Sequence, residues 1–335
     1  MKYPYKILFT ISMMTGTMMA ISASSWFMSW IGLEINLLSF IPLMPEKKNN
    51  FSSEASIKYF ITQALSSSLL LFSILLISIM KNMSLSTYTL PLMLINLTLM
   101  MKMGAAPFHF WLPEVTSGLN WEMVFLTLSW QKIAPMILMS MSLNSSLLLS
   151  IFIISSTITG SIQGLNQTCL RKILTYSSIN HTGWMLATMM NSLTIWIYYF
   201  LIYSFTNFYI ISTLSYNKVY FMNQLNSLFS FNKKIMIFFS MNFMSLGGLP
   251  PFIGFFPKWF SINILISNNQ YTLTLILILF TLIALYYYMR LTFSSFSLGS
   301  SESIKYFSKY SSYLFIFNSM ILFSLPISMI QVTYL

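Results

Sequence analysis

The sequence predicts an all-α, polytopic membrane protein of about eleven transmembrane helices, arranged as two inverted five-helix repeats that each contain a broken fourth helix. Three observations carry this expectation. Of 335 residues, 56% are hydrophobic and 7% are charged, with no aspartate, against roughly 25% charged residues in soluble domains. Apolar stretches of about 20 residues, the length that crosses a hydrocarbon layer as a helix, follow one another along the chain. Two of them are too long for one straight crossing and carry helix-breaking residues inside, at Gly104 and Pro107 and at Gly247, Gly248, Pro250 and Pro251.

In order, the spans fall at 7–24, 25–45, 57–80, 85–119, 121–142, 146–166, 172–191, 193–216, 235–266, 271–293 and 312–334. The first repeat covers 1–142 and the second 146–293, and the helix at 312–334 is additional, all within a single membrane domain, 1–335. Orientation follows from the cations. Thirteen of the 17 Lys and Arg, from Lys2 and Lys6 through Lys58, Arg171, Lys172 and Arg290 to Lys309, share the side of the N-terminus, and Lys81 alone falls opposite. This asymmetry predicts an odd number of crossings, with the N-terminus on the negative side of the membrane and the C-terminus opposite. It also accounts for the net charge of +11 without nucleic acid, because the charge is spread over loops with no basic tract or aromatic-interleaved patch. The N-terminus has neither a cleavable signal pattern nor an Arg-rich presequence, so insertion without a removed targeting peptide is expected. The Met, Ile, Phe, Asn, Ser and Tyr content suggests an AT-biased, organellar genome.

The two interruptions organise the rest. In LMMKMGAAPFHFWLPE (99–114), Lys102 precedes Gly104 and Pro107; LGGLPPFIGFFPKW (246–259) ends beside Lys258. Backbone groups freed by such breaks are tolerated in a membrane only against protein or a water-filled cavity. Pro107 and Pro251 lie 144 residues and five spans apart. An odd offset inserts the second copy upside down, as in many transporters. Two interrupted helices, each with a buried lysine, point to an ion path.

Six ionisable residues within spans are candidates for that path. Glu34, in WIGLEINLL, sits near the centre of span 2, where a carboxylate is expensive and functional by default; the alternative is a protonated, hydrogen-bonded structural Glu. Lys102 must be neutralised, paired or hydrated, and pairing with Glu34 would satisfy both, so that moving the carboxylate would change the lysine's proton affinity. Snorkelling to an interface is the alternative for Lys102 and for Lys258. Lys132, three residues before Pro135 and about eleven residues into its span, is too deep to snorkel. His181 lies among Ser177, Ser178, Asn180 and Thr182 at mid-span, where its two nitrogens suit a relay, or a helix-packing hydrogen bond. His109, just past the first break, reads as a hydrogen-bonded packing residue or as a second candidate relay.

The remaining polar positions read as ordinary membrane-protein features. Glu114 belongs at an aqueous helix end, Glu122 beside Trp121 is an interfacial anchor, and 46–58 is a solvated loop. Trp196, Tyr198, Tyr199 and Tyr286–Tyr288 read as interfacial belt and packing. The lone Cys169 excludes an internal disulfide or a cysteine-ligated site, and no glycine fingerprint, metal-spaced cluster or nucleophile–base pair is present. No catalytic, cofactor-binding or metal-binding residue is expected, and the chain reads as redox-inert.

WIGLEINLL (30–38), KMGAAPFHFWLPE (102–114), YSSINHTGW (176–184) and GGLPPFIGFFPKW (247–259) resemble, in order and spacing, motifs of the animal-type subunit 2 family of mitochondrial NADH:ubiquinone oxidoreductase, respiratory complex I, within the wider antiporter-like subunits. The resemblance covers essentially the whole chain. It implies a proton-translocating membrane-arm subunit, with Glu34 the carboxylate partner, Lys102 the proton-holding lysine of the first half-channel, Lys132 the connecting lysine and Lys258 the lysine of the exit half-channel. Flavin, iron–sulfur clusters and ubiquinone would be handled by other subunits, and NADH oxidation and quinone reduction would occur there. Implied partners are other membrane-arm subunits, neighbouring antiporter-like subunits among them, and lipids, with no nucleic acid. The chain lacks the first few helices of bacterial members, as animal forms do.

Two other classes fit the residues. A stand-alone cation/proton antiporter would use the same buried groups without obligate partners, and a structural scaffold would tolerate neutral residues at all of them. The residues further predict a hydrated polar axis at mid-membrane depth from Glu34 to Lys258, faced by the breaks at Gly104–Pro107 and Gly247–Pro251 and supplied with water partners by Ser177, Ser178, Asn180 and Thr182.

Overall fold

A computed structural model describes residues 4–46, 49–80, 85–142, 146–225 and 233–296; the span expected at 312–334 lies outside the described residues. The helices are α1 (Pro4–Ile21), α2 (Trp26–Phe40), α3 (Asn50–Met80), α4 (Leu85–Met103), α5 (Trp111–Gly118), α6 (Trp121–Leu128), α7 (Trp130–Ser140), α8 (Ser146–Leu165), α9 (Leu170–Met189), α10 (Leu193–Asn217), α11 (Lys233–Gly247), α12 (Phe255–Ser267) and α13 (Tyr271–Phe296). Apart from an isolated Cys169–Phe221 bridge, the described residues form no strand. Six helices among them are long and apolar enough to cross a membrane. Large apolar side chains such as Leu8, Phe51, Ile79 and Leu147 lie exposed, the surface expected where lipid replaces water.

The chain divides into two compact units, Met1–Ser156 and Thr157–Leu335. In the first, α1 packs along α2 through small residues. A Cβ on Gly32 would stand 2.5 Å from the Ala20 nitrogen, and one on Gly16 2.9 Å from the Asn36 nitrogen. Backbone approach of this kind is how helices gain contact without a hydrophobic driving force. It braces the turn of α2 that carries Glu34 and Asn36. Ser25 caps the start of α2, its Oγ accepting from the Met28 N–H at 3.4 Å. The long α3 packs on α4 and α5, with Gly118 set directly over the Phe51 carbonyl.

In the second unit α9 is the internal helix. Seventeen of its twenty residues are buried, which explains why a helix this polar need not read as a lipid-facing span. Gly160 of α8 lies against its backbone, 2.6 Å from the Asn180 nitrogen for an added Cβ. Around it stand α10, α12 and α13. Arg290 of α13 donates from Nη1 to the Leu165 carbonyl at 2.7 Å and from Nη2 to that of Gln167 at 3.0 Å, satisfying carbonyls left over at the end of α8.

Candidate functional site

The two predicted interruptions are present and are made the same way. At the end of α4, Gly104 takes φ +70, its N–H donates to the Met101 carbonyl at 3.2 Å, and the Ala105 N–H reaches back to that of Met100 at 3.1 Å. At the end of α11, Gly248 takes φ +81, its N–H donates to the Ser245 carbonyl at 2.9 Å, and the Leu249 N–H reaches that of Met244 at 3.3 Å. Each is a Schellman ending with glycine in the left-handed position. The carbonyls that such an ending leaves over receive side-chain donors. Gln63 Nε2 donates to the Lys102 carbonyl at 3.3 Å and Trp111 Nε1 to that of Met101 at 3.2 Å.

In the second break the donor is Lys258 itself. Its Nζ donates to the carbonyls of Gly247 at 2.8 Å and Leu246 at 3.1 Å. This is a cation at a helix C-terminus, where the dipole favours positive charge. Its stem lies on Gly248, where a Cβ would meet Lys258 Cδ at 2.7 Å. Lys258 is buried and does not snorkel. In both breaks the glycines Gly104 and Gly247 are buried while Pro107, Pro250 and Pro251 are exposed. The prolines therefore do not line an interior, in contrast to the expectation that each whole break faces a hydrated axis. Proline has no N–H to satisfy, so it can occupy the outer side of the turn.

Lys102 is buried at 6% exposure. It lines a cavity of about 20 Å³ together with Leu33, Asn36, Leu37, Tyr59, Gln63, Gln131 and Pro135. Glu34 is half-buried and interacts electrostatically with Lys102 without touching it. The one direct ion pair among the described residues joins Lys58 to Glu114 at 2.9 Å, on the surface. Lys132 is buried at 1% exposure in the first turn of α7. An interruption that the sequence did not announce precedes it: α6 ends at Leu128, Ser129 adopts φ −114 and ψ −72, and the Lys132 N–H bonds to the Ser129 carbonyl three residues back. Pro135, which cannot donate to the Gln131 carbonyl, sits one turn later, so the kink lies ahead of the proline rather than at it.

His181 is buried among α9 and α10. Its Nδ1 lies 2.8 Å from the Tyr199 hydroxyl, its ring is 5.1 Å from that of Tyr203, and a cavity of about 10 Å³ adjoins it, lined also by Thr206, Ser245 and Pro257. Tyr199, read from sequence as belt or packing, is buried at 1% exposure as the histidine's partner. Tyr287 and Tyr288 are likewise buried, with Tyr288 interacting with Ser177, while Tyr286 is exposed. His109 is buried, its ring 4.3 Å from that of Phe110. Glu114 and Glu122 are exposed in the first turns of α5 and α6. The Glu46 carboxylate accepts from Asn120 Nδ2. Sequence reasoning missed Asn36, Tyr59, Gln63 and Gln131, whose uncharged side chains give no signal until the fold gathers them at Lys102. No group of three or more His, Cys, Asp or Glu that could hold a metal occurs among the described residues.

Residues 23–285, which contain both breaks and the buried Lys102, Lys132 and Lys258, match the family described as NADH:quinone oxidoreductase/Mrp antiporter, TM. The chain belongs to this family. It is 46% identical over 298 residues to NADH-ubiquinone oxidoreductase chain 2 of Locusta migratoria, covering 89% of this chain and 87% of that one. It is 47% identical over 298 residues to the chain of the same name from Anopheles gambiae, covering 88% and 87%. Its fold is shared with a chain of respiratory complex I from Thermus thermophilus, at TM-score 0.86 and 21% identity over 97% of this chain and 80% of that one. It is also shared with a chain of the Mrp complex from Dietzia, at TM-score 0.77 and 16% identity over 86% and 59%. As a member of the family, the chain is an antiporter-like membrane subunit.

Proposed function

We propose that this chain contributes to proton translocation as an antiporter-like core subunit of respiratory complex I, with Glu34, Lys102, Lys132 and Lys258 as the groups that hold and pass protons and His181 and His109 as candidate relays. NADH oxidation and ubiquinone reduction, with flavin and iron–sulfur clusters, belong to other subunits of that enzyme. The observation that carries the reading is the burial of three lysines in a membrane-family chain, two of them at glycine-terminated helix ends. Buried intramembrane ammonium groups are retained at a cost that a scaffold would not need. The similarity to NADH-ubiquinone oxidoreductase chain 2 favours a subunit of that assembly over a stand-alone antiporter.

The proposal includes two inverted repeats, 1–142 and 146–293, and about eleven crossings. It is supported by identical Schellman endings at Gly104 and Gly248, which are 144 residues apart in sequence. It also includes a matrix-side N-terminus in the mitochondrial inner membrane, supported by the distribution of Lys and Arg, and contacts with neighbouring membrane-arm subunits and lipids. Lys132→Met keeps side-chain length and removes the protonatable group, and Glu34→Gln removes the charge. In the assembled complex reconstituted in sealed vesicles, both variants are expected to lower the proton-to-electron ratio while NADH oxidation by a hydrophilic artificial acceptor continues. An unchanged ratio in both would refute the reading.

A further inference from the structure

Glu34 acts on Lys102 electrostatically but is absent from the walls of the cavity beside that lysine, so a proton leaving Lys102 through the cavity needs another carrier. The cavity beside Lys102, about 20 Å³, exceeds the roughly 10–15 Å³ that a single water requires. Its polar walls come from four helices. Asn36 lies on α2, Tyr59 and Gln63 on α3, Lys102 on α4 and Gln131 on α7. Asn36, Tyr59 and Gln63 are each at most 5% exposed. Gln131 Nε2 donates to Asn36 Oδ1 at 2.8 Å, a bond between residues 95 apart in sequence that ties α7 to α2. One amide bond uses one donor and one acceptor site. The Asn36 amino group, the Gln131 carbonyl oxygen and the Tyr59 hydroxyl have no side-chain or backbone partner among the described residues. Both donors and acceptors thus remain, and a buried water typically makes about three bonds.

We infer that the Asn36–Gln131 amide pair is a positioning element that holds one water molecule against Lys102 and thereby sets the proton exchange of that lysine. The inference rests on the proton-translocating reading above. A proton leaves the Lys102 ammonium for the water oxygen as one of that water's protons leaves for the next acceptor along the proposed path; Glu34, which does not line the cavity, acts on Lys102 through its charge alone. The products are a neutral amine, a protonated acceptor and a water in place of the first, and the reverse sequence reloads the lysine. The amides do not ionise; they orient the water and keep its lone pair available. Gln131 immediately precedes Lys132 and follows the Ser129 interruption, so the water's position also depends on the conformation of the turn that carries the next lysine.

The test uses the assembled complex in sealed vesicles, with pumping normalised to bound flavin. Gln131→Met preserves length and bulk but offers no hydrogen bond. It is expected to slow quinone-linked proton pumping about tenfold, the scale of one lost buried hydrogen bond, with artificial-acceptor activity unchanged. Asn36→Leu is expected to do the same. The reciprocal exchange, Asn36→Gln with Gln131→Asn, is expected to restore pumping to within about twofold, which a packing role would not produce. Should Asn36→Leu prevent assembly, Gln131→Met and the exchange decide alone. Wild-type pumping by Gln131→Met, or no recovery in the exchange variant, overturns the inference. Lys102→Met separates the two levels. If it pumps normally, the translocation reading itself fails; if it stops pumping while Gln131→Met does not, only the amide-held water is lost.

Discussion

Two adjacent glycines at the second break make opposite demands, and Gly248→Ala against Gly247→Ala tests the account of how Lys258 is held. Gly248 has φ +81, and an alanine in the left-handed region costs about 1–2 kcal/mol. Its Cβ would stand 2.7 Å from Lys258 Cδ, 3.2 Å from Cε and 3.0 Å from Nζ. The side chain must therefore swing away from the Gly247 and Leu246 carbonyls it caps. Losing one bond from a charged donor adds about 1.5–3 kcal/mol, so the expected destabilisation is about 2.5–5 kcal/mol. At Gly247 an added Cβ meets nothing closer than 3.6 Å, and alanine there gains helix propensity. Gly247→Ala is expected to be neutral or slightly stabilising. The readouts are the amount of assembled complex on native gels and the thermal midpoint of the purified complex. Because the clash is with the lysine stem, Gly248→Ala combined with Lys258→Ala should cost less than the sum of the two. Equal midpoints for Gly248→Ala and Gly247→Ala, or strict additivity with Lys258→Ala, would refute the reasoning.

Three further outcomes are expected. Glu114→Gln removes the surface pair with Lys58, whose side chains are 59% and 51% exposed; it should cost under about 1 kcal/mol and leave thermal stability and proton-to-electron ratio unchanged. Gly32→Val drives a side chain into the backbone at Ala20, 2.5 Å from its nitrogen, and neither helix can yield cheaply. A loss of about 3 kcal/mol is expected, seen as reduced assembly, whereas Gly164→Ala meets only the Tyr287 ring at 2.9 Å and should be milder. Labelling in sealed inner-membrane vesicles should reach a tag at the N-terminus only from the matrix side and one at the C-terminus only from the intermembrane side; both tags reached from one side would overturn the odd count of crossings.

Much was legible in the sequence because the membrane imposes strong rules on composition. Low charge and apolar stretches named the class, and glycine and proline inside two of them located the breaks at Gly104–Pro107 and Gly247–Pro251, where the structure puts Gly104 and Gly248 in the left-handed position after a helix end. The buried lysines announced themselves for the same reason, as a charge in a span is costly wherever it points. What the sequence could not supply is partnership. Tyr199, taken for belt or packing, becomes the histidine's hydrogen-bond partner only when α10 lies on α9. Lys258 caps the very helix that breaks before it, through a turn whose closure depends on tertiary contact. The Ser129 interruption has no local signature, since serine is common within membrane helices. Asn36, Tyr59, Gln63 and Gln131 are unremarkable along the chain and meet only at Lys102. Hydropathy and backbone propensity are local quantities, so the sequence determined the membrane class, the two breaks and the charges placed within apolar stretches; hydrogen-bond partners depend on distances between helices remote in sequence, so only the tertiary structure decided what each buried charge faces.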